Sequence, residues 1–320
     1  MGLTSGMSAK RGFTSVLLHE LEAIEANWQV AVDGLDPEGL HQLRVAMRRT
    51  RAVIGQSKGV LPTVTRRLYS DEFAWLAGST GPTRDLDVYV IEWPSYVDGM
   101  STKSTEALQP VLDRIELDRA QARTALVAVL QSARANDVIE AWRATLADGQ
   151  ALATGERGSA MPVDDIGPSL GQVLAKRFRH AHSRVLDAGR RIDPDSPAEA
   201  LHELRKDAKK LRYIVDCFSP VLPKKLRNAF GEQLQGLQDN LGEHQDAQVH
   251  ISELDTVAHG LPASRRNTDT FMALGRLLER LEQTQRNARS ELAERFRSYD
   301  SHKTMRIVRE LLGTLDDAHR

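Results

Sequence analysis

His41-Gln42-Leu43-Arg44-Val45-Ala46-Met47-Arg48-Arg49-Thr50-Arg51 is the stretch from which the fold is read, because it occurs twice. At a constant offset of 161 residues, His202-Glu203-Leu204-Arg205-Lys206-Asp207-Ala208-Lys209-Lys210-Leu211-Arg212 repeats it, with His on His, Leu on Leu and Arg or Lys on four Arg positions. On a helix, at about 100° per residue, His41, Arg44, Arg48 and Arg51 fall within a wedge of roughly 80°. Leu43, Met47, Thr50 and Ile54 fall on the side that faces a core. The second copy divides in the same way, with His202, Arg205, Lys209 and Arg212 in one stripe and Leu204, Ala208, Leu211 and Val215 in the other. Arg49 and Lys210 lie off the stripe. Cations stacked on one helix face repel by about a few tenths of a kcal/mol per adjacent pair, so something anionic is expected against them.

Composition sets the frame. The 320 residues exceed one ordinary core, so two domains or two halves are expected. Abundant Ala, Leu, Arg and Glu with few aromatics is a helical composition. A single cysteine, Cys217, excludes an intramolecular disulfide and any Cys-cluster metal site. No apolar run approaches a membrane span, and Met1 to Arg11 has no signal-peptide core, so a soluble cytoplasmic protein is expected. The formal net charge is −1, yet residues 41 to 51 carry four Arg and no acid. A cationic patch on a near-neutral chain points to a confined anion site; the plainer reading is a solvated helix face.

Residues 1 to 12 read as a disordered lead. The first helix is predicted over Phe13 to Val32, with acidic Glu20, Glu22 and Glu25 and an apolar stripe of Leu17, Leu21, Ile24 and Trp28. Asp36-Pro37 caps the motif helix, which runs to about Lys58. Helices follow over Thr63 to Gly78, from Thr83, over Thr105 to Arg134 and over Asp137 to Leu146, with Pro94, Asp98 and Gly99 as an interruption. The Gly- and Pro-containing segment 148–168 reads as a linker between a first bundle, 13–147, and a second, 169–320.

The second half repeats the order. Ser169 to Arg191 is a helix bearing Lys176, Arg177, Arg179, His180 and Arg184 where the first copy is acidic. Asp195-Ser196-Pro197 is expected to cap the second motif helix as Asp36-Pro37 caps the first. A helix over Leu226 to Leu241 aligns Arg227 with Arg66 and Phe230 with Tyr69. Leu76, Gly81, Asp85 and Val88 match Leu237, Gly242, Asp246 and Val249 at the same offset of 161 residues. The register drifts over 256–270 before helices over Phe271 to Tyr299 and His302 to Leu315. No stretch alternates with period two, so the prediction is all-α with no sheet.

The patterns His41-x-x-Arg44-Val45-x-x-Arg48-Arg49-x-Arg51, His202-x-x-Arg205-Lys206-x-x-Lys209-Lys210-Leu211-Arg212-Tyr213, Gly81-x-x-Arg84-Asp85-x-Asp87-Val88 and Leu237-Gln238-Asp239-x-Leu241-Gly242-x-x-x-Asp246 resemble the CHAD domain, the histidine-containing α-helical domain. The likeness spans residues 13 to 318. It implies two four-helix bundles related by a pseudo-twofold axis, with motif helices facing each other across a basic groove that binds inorganic polyphosphate. Many members of that family carry a CYTH domain; with a short lead and no Glu-x-Glu-x-Lys signature, this chain resembles a stand-alone member. Gln245 stands where the first half has Arg84, a departure from the pattern; the acidic first helix, set against its basic counterpart in the second half, nevertheless predicts a groove more basic on its second-half side.

Polyphosphate is a flexible chain of anionic oxygens. Arg offers forked donors and Lys a compact charge, and stacked cations about 5.4 Å apart along a helix can share one chain. The expected contacts are His41, Arg44, Arg48, Arg51, His202, Arg205, Lys206, Lys209 and Arg212, with Arg66, Arg84, Lys176, Arg177, Arg184 and Arg227 at the rim. The alternative for the stripe is ion pairing with Asp85, Asp87, Asp246 or Glu243, and for His41 and His202 it is capping or hydrogen bonding between helices. Asp85, Asp87 and Asp246 read as helix-start residues that hold the stripe. A different class of function makes them, with the histidines, ligands of a metal-dependent phosphohydrolase; His180 and His182 project apart, and no motif histidine has a carboxylate one turn away on its stripe. Hence no metal, cofactor or catalytic residue is assigned. A third reading is an adaptor that targets polyphosphate or storage granules and meets granule proteins there. Trp28, Trp75, Trp93 and Trp142 read as core rather than base-stacking platforms, which argues against specific nucleic-acid binding.

Overall fold

A computed structural model describes residues 2–154, 167–261 and 267–316, and among them every regular element is helical. The helices are α1 (Ala9–Asp33), α2 (Pro37–Gln56), α3 (Thr63–Ser79), α4 (Gly81–Val97), α5 (Thr102–Ala107), α6 (Gln109–Leu130), α7 (Ala133–Thr154), α8 (Leu170–Gly189), α9 (Ala198–Cys217), α10 (Lys224–Gly260), α11 (Thr268–Tyr299) and α12 (His302–Asp316). Both motif stretches are helices of 20 residues, and their bounds keep the offset of the sequence repeat at each end. Most of the segment read as a linker, and the insertion read near Thr256 to Thr270, fall partly outside the described residues; α7 continues through Thr154, beyond the expected helix end at Leu146.

Local chemistry explains the helix ends. Asp36 accepts from the Glu38 amide at 2.8 Å and Pro37 occupies the first turn, as expected for an Asp-Pro start. The second motif helix starts differently: Pro197 is its N-cap and supplies no side-chain bond. Ser196 instead donates to Asp193 at 2.8 Å, folding the approach back on itself. Between α3 and α4 the chain breaks at Thr80, because Pro82 cannot donate an amide hydrogen to the preceding turn. The corresponding stretch Asp239-Asn240-Leu241-Gly242-Glu243 has no proline, and α10 runs unbroken for 37 residues where two elements were expected. Pro110 likewise separates α5 from α6 inside the long helix predicted from Thr105.

The lead is not disordered over the described residues. Leu3 is buried, α1 begins at Ala9 with Ser8 as its cap, and the Met7 and Ser5 carbonyls accept from the Leu170 and Gly171 amides at 2.7 and 2.8 Å. Amides in the first turn of a helix have no partner within it, so the lead satisfies two donors of α8. Gly171 permits this approach: a Cβ there would stand 2.5 Å from the Leu315 carbonyl oxygen.

Apolar packing does not divide the chain at the linker. One cluster runs through both halves, from Phe13, Leu17 and Ile24 on α1 and Leu43, Met47 and Ile54 on α2 to Leu204, Leu211 and Val215 on α9 and Leu311 on α12. A smaller cluster joins Tyr89 and Trp93 of α4 and Ile115 of α6 to Leu254 of α10 and Leu274 and Leu277 of α11. Trp142 is fully buried, Trp93 lies in the smaller core, and Trp28 and Trp75 pack against the larger one. All four tryptophans therefore belong to cores.

Candidate anion-binding site

The apolar face of each motif helix is seated in the large core, which turns its cationic stripe outward, and α2 packs against α9. Lys209 is half-buried, and its Nζ feels the positive charges of both Arg205 and Arg48. The two stripes thus meet at Arg48 and Lys209. Burial first, then those two guanidinium groups, push Lys209 down to about 8, with Asp246 opposing. Burial disfavours an ammonium and neighbouring cations disfavour it again.

Arg44 and Arg205 occupy matched places and make matched pairs. Arg44 approaches Asp85 at 3.8 Å and donates to Thr80 Oγ1 at 2.9 Å; Arg205 donates to Asp246 at 3.0 Å. Both arginine side chains are about four-fifths covered, 18% and 19% exposed, whereas Asp85 and Asp246 are 56% and 62% exposed. Asp85 sits one turn into α4 and Asp246 lies inside α10, so neither caps a helix, contrary to that part of the expectation, while each holds an arginine of its stripe as expected. Asp87 pairs with Arg119 at 2.6 Å and does not reach the stripe. The Nε groups of Arg48, Arg66 and Arg205 are buried without a hydrogen-bond partner.

The histidines differ. His41 lies among Arg84, Arg48 and Arg44; burial, then Arg84, hold it below the usual imidazole range, with Glu38 opposing. His202 is exposed and its Nδ1 lies 2.9 Å from Gln245 Oε1, the amide at the position of Arg84.

Several expected contacts lie elsewhere. Arg177 donates to the Gln56 carbonyl at 3.0 Å and to that of Lys58, closing the C-terminal end of α2. Arg184 makes a two-pronged contact with the buried Asp207 at 3.1 and 3.0 Å, where Lys210 also donates at 3.1 Å, off the stripe of α9. Arg227 donates to the Ser219 carbonyl at 3.1 Å beyond the end of α9. Lys206 pairs with Glu203 at 2.8 Å, and Arg212 with Asp216 at 3.2 Å and Gln238 at 3.1 Å. Lys176 and Arg51 are exposed and form no ion pair with any described residue. Arg49 faces Glu20 at 3.9 Å, which turns the acidic α1 away from the stripe.

The reading from sequence missed the wall behind Asp85 and Asp246. Tyr89 donates to the His250 carbonyl at 2.7 Å, Tyr96 lies 3.0 Å from His250 Nδ1 and donates to Glu92 at 2.6 Å, and Glu253 stands beside Tyr89. Burial, then Asp85, push Glu253 up to about 7, with the Tyr89 hydrogen bond opposing. One signal was present: Tyr89 and His250 are themselves separated by 161 residues, the offset of the sequence repeat. Among the described residues no three His, Cys, Asp or Glu side chains converge as metal ligands, and no described helix is long and apolar enough to cross a membrane.

Comparison with known proteins agrees with this architecture. The family described as CHAD domain matches residues 15–255. An uncharacterized protein of Mycobacterium tuberculosis strain CDC 1551 / Oshkosh, and one of strain H37Rv, are each 25% identical over 289 residues, covering 88% of this chain and 52% of the relative. The chain thus spans about half the length of these curated relatives. The crystal structure of the CHAD domain from the plant Ricinus communis superposes with a TM-score of 0.68 at 21% identity, over 98% of this chain and 94% of that one. PptA from Streptomyces chartreusis gives 0.67 at 18% identity, over 91% and 99%. At those identities the likeness is one of fold.

Proposed function

This chain belongs to the CHAD domain family, and we propose that it binds inorganic polyphosphate, without cleaving it, along the paired stripes of α2 and α9. The observation that carries this is the meeting of Arg48 with Lys209, cation against cation, between the arginines Arg44 and Arg205. Like charges held near one another on a folded surface are unfavourable unless an anion joins them. A linear polyanion laid across the stripes meets Arg44, Arg48, Arg84, Arg205 and Lys209 together, and Asp85 and Asp246 hold the flanking guanidinium groups until phosphate oxygens replace them. His41 gains a proton more easily beside that anion.

Titration calorimetry with long-chain polyphosphate tests the reading. Affinity falls steeply with salt, by a slope of roughly 0.7 per neutralised phosphate on a flexible strand. Replacing Arg48→Glu together with Lys209→Glu abolishes binding; affinity unchanged by that pair sinks the proposal. Incubation with Mg²⁺ or Mn²⁺ leaves chain length unaltered, and release of orthophosphate by the wild-type chain that the pair abolishes would establish a hydrolase instead. If the chain follows polyphosphate to granules in cells, a fluorescent fusion forms foci that the same pair disperses.

A further inference from the structure

The wall behind Asp85 and Asp246 contains two cavities built from corresponding residues. One, of about 550 Å³, lies between α4, α6 and α10 and takes Asp85 and Tyr89 from α4 and Glu253 from α10. The other, of about 250 Å³, lies between α4, α10 and α11 and takes Asp246 and His250 from α10 and Glu92 from α4. Asp85 with Asp246, Tyr89 with His250 and Glu92 with Glu253 each keep the offset of 161 residues. The third wall breaks the match. To the smaller cavity α11 brings Leu277 and, three residues on, Arg280, whereas to the larger α6 brings Ile115 and, three residues on, Asp118.

The smaller cavity therefore has a guanidinium group beside its carboxylates, with Nη1 of Arg280 donating to the Tyr96 and Asp98 carbonyls at 3.2 and 2.7 Å. No Lys, Arg or His among the described residues lines the larger one. Two of its carboxylates are served from outside: Asp118 takes a two-pronged contact from Arg114 at 2.9 and 2.8 Å, and Asp85 faces Arg44 at 3.8 Å. Glu253 is the exception. It is half-buried, forms no ion pair with any described residue, and is acted on by the like charge of Asp85 and by the Tyr89 hydroxyl. Leu86, Ile115, Leu254 and Val257 give the cavity its apolar walls. In such surroundings a carboxyl ionises beside a cation and otherwise keeps a proton.

We propose that the larger cavity binds a primary alkylammonium ion, its nitrogen beside Glu253 and its alkyl body along Ile115, Leu254 and Val257. The ligand supplies the positive charge that Arg280 brings to the smaller cavity, and the size and apolar walls suit a small organic body. Charge selects the class, since an anion would meet carboxylates alone and a neutral alcohol would leave Glu253 protonated. The titratable groups around Glu253 are Asp85, Tyr89 and Tyr96 on α4, Asp118 on α6 and His250 on its own helix; no residue of α11 lines the cavity. Burial holds both tyrosines above their usual range and His250 below its own, while Glu253, pushed up to about 7, carries the proton that the ammonium displaces. The site does not depend on polyphosphate binding.

Calorimetry with hexylamine on the full chain tests this, with 1-hexanol and hexanoate as comparators. The amine binds at one saturable site, at least about tenfold more tightly than either comparator. It stays charged near neutrality, as a lysine would, and its affinity falls about tenfold from about pH 8 to about pH 6 as protons compete for Glu253. Glu253→Gln, which keeps the shape and removes the charge, weakens binding by at least about tenfold and flattens the pH profile. Asp118→Arg installs a guanidinium group as in the smaller cavity and abolishes binding while helicity is retained. Equal affinity for hexanol, no saturation by the amine, a flat pH profile in the wild-type chain, or full binding by either folded variant overturns the proposal.

Discussion

The two motif helices have the same length and offer the same stripe, yet what surrounds them differs. On the first-half side the chain breaks at Thr80, Thr80 Oγ1 takes a bond from Arg44, and Arg84 at the start of α4 presses a third guanidinium towards His41. On the second-half side α10 is continuous, and an amide, Gln245, satisfies His202 at 2.9 Å. The expectation from sequence was the reverse, a second half more basic because α8 is basic and α1 acidic. The cations of α8 are drawn to carbonyls and to Asp207, and Glu20 of α1 faces Arg49. Charge counted along a helix therefore misjudges a site whose neighbours decide where each charge points. What sets the difference is one proline and one Arg-to-Gln exchange.

Placing the break in the wrong half has the largest expected effect. Glu243→Pro removes an interior amide donor from α10 and lowers unfolding free energy by about 3 kcal/mol, read as a shifted urea midpoint; Pro82→Ala at the natural break changes it by less than about 1 kcal/mol. Equal costs in the two places would mean that α10 is not a single cooperative rod.

Exchanging the flanking side chains comes next. Arg84→Gln weakens polyphosphate binding by about tenfold and lowers the salt slope by roughly one phosphate contact, and it lets the His41 pKa rise, observable by imidazole NMR. Gln245→Arg strengthens binding in turn. If neither moves affinity, the surroundings of the stripe are electrostatically idle.

A smaller, pH-dependent effect follows from Lys209. Its folded pKa, pushed down to about 8, lies below the ordinary lysine value, so the folded chain holds fewer protons than the unfolded one between about 8 and 10.5. The penalty of burying that charge is full below about pH 8 and is relieved as pH rises. Polyphosphate affinity moves the other way, falling severalfold as Lys209 loses its proton above about pH 8, and Lys209→Arg flattens the profile.

The smallest effect belongs to Glu253. Its carboxyl, pushed up to about 7, keeps a proton in the folded chain that the unfolded chain releases near 4.5. Its stabilising share is present below pH 4.5 and is lost as pH rises through 7. Glu253→Gln therefore raises Tm at pH 8 and leaves it nearly unchanged at pH 4, by scanning calorimetry.

Much of this was legible in sequence for physical reasons. Helical period separated Arg44, Arg48, Arg205 and Lys209 from the apolar faces of the same helices, and the Asp36-Pro37 start and the break before Pro82 follow from local backbone chemistry. Periodicity fixes a side chain's direction about its own axis and says nothing of the neighbour it meets. Arg177 and Arg184 show the limit: both are basic surface positions by pattern, and both are committed to groups brought from elsewhere in the chain. The Tyr89, Tyr96 and Glu253 cluster was hidden for the same reason, since its members come from two helices that meet only on folding.

The backbone bonds from residues 5 and 7 to residues 170 and 171 have a consequence for synthesis. During translation the opening segment must wait until the start of α8 leaves the ribosome before its carbonyls find their donors. The shared apolar cluster delays closure further, so a ribosome halted in the linker holds a first half with its core open. Cutting the gene at the linker would produce two fragments that recover the native helices only when mixed.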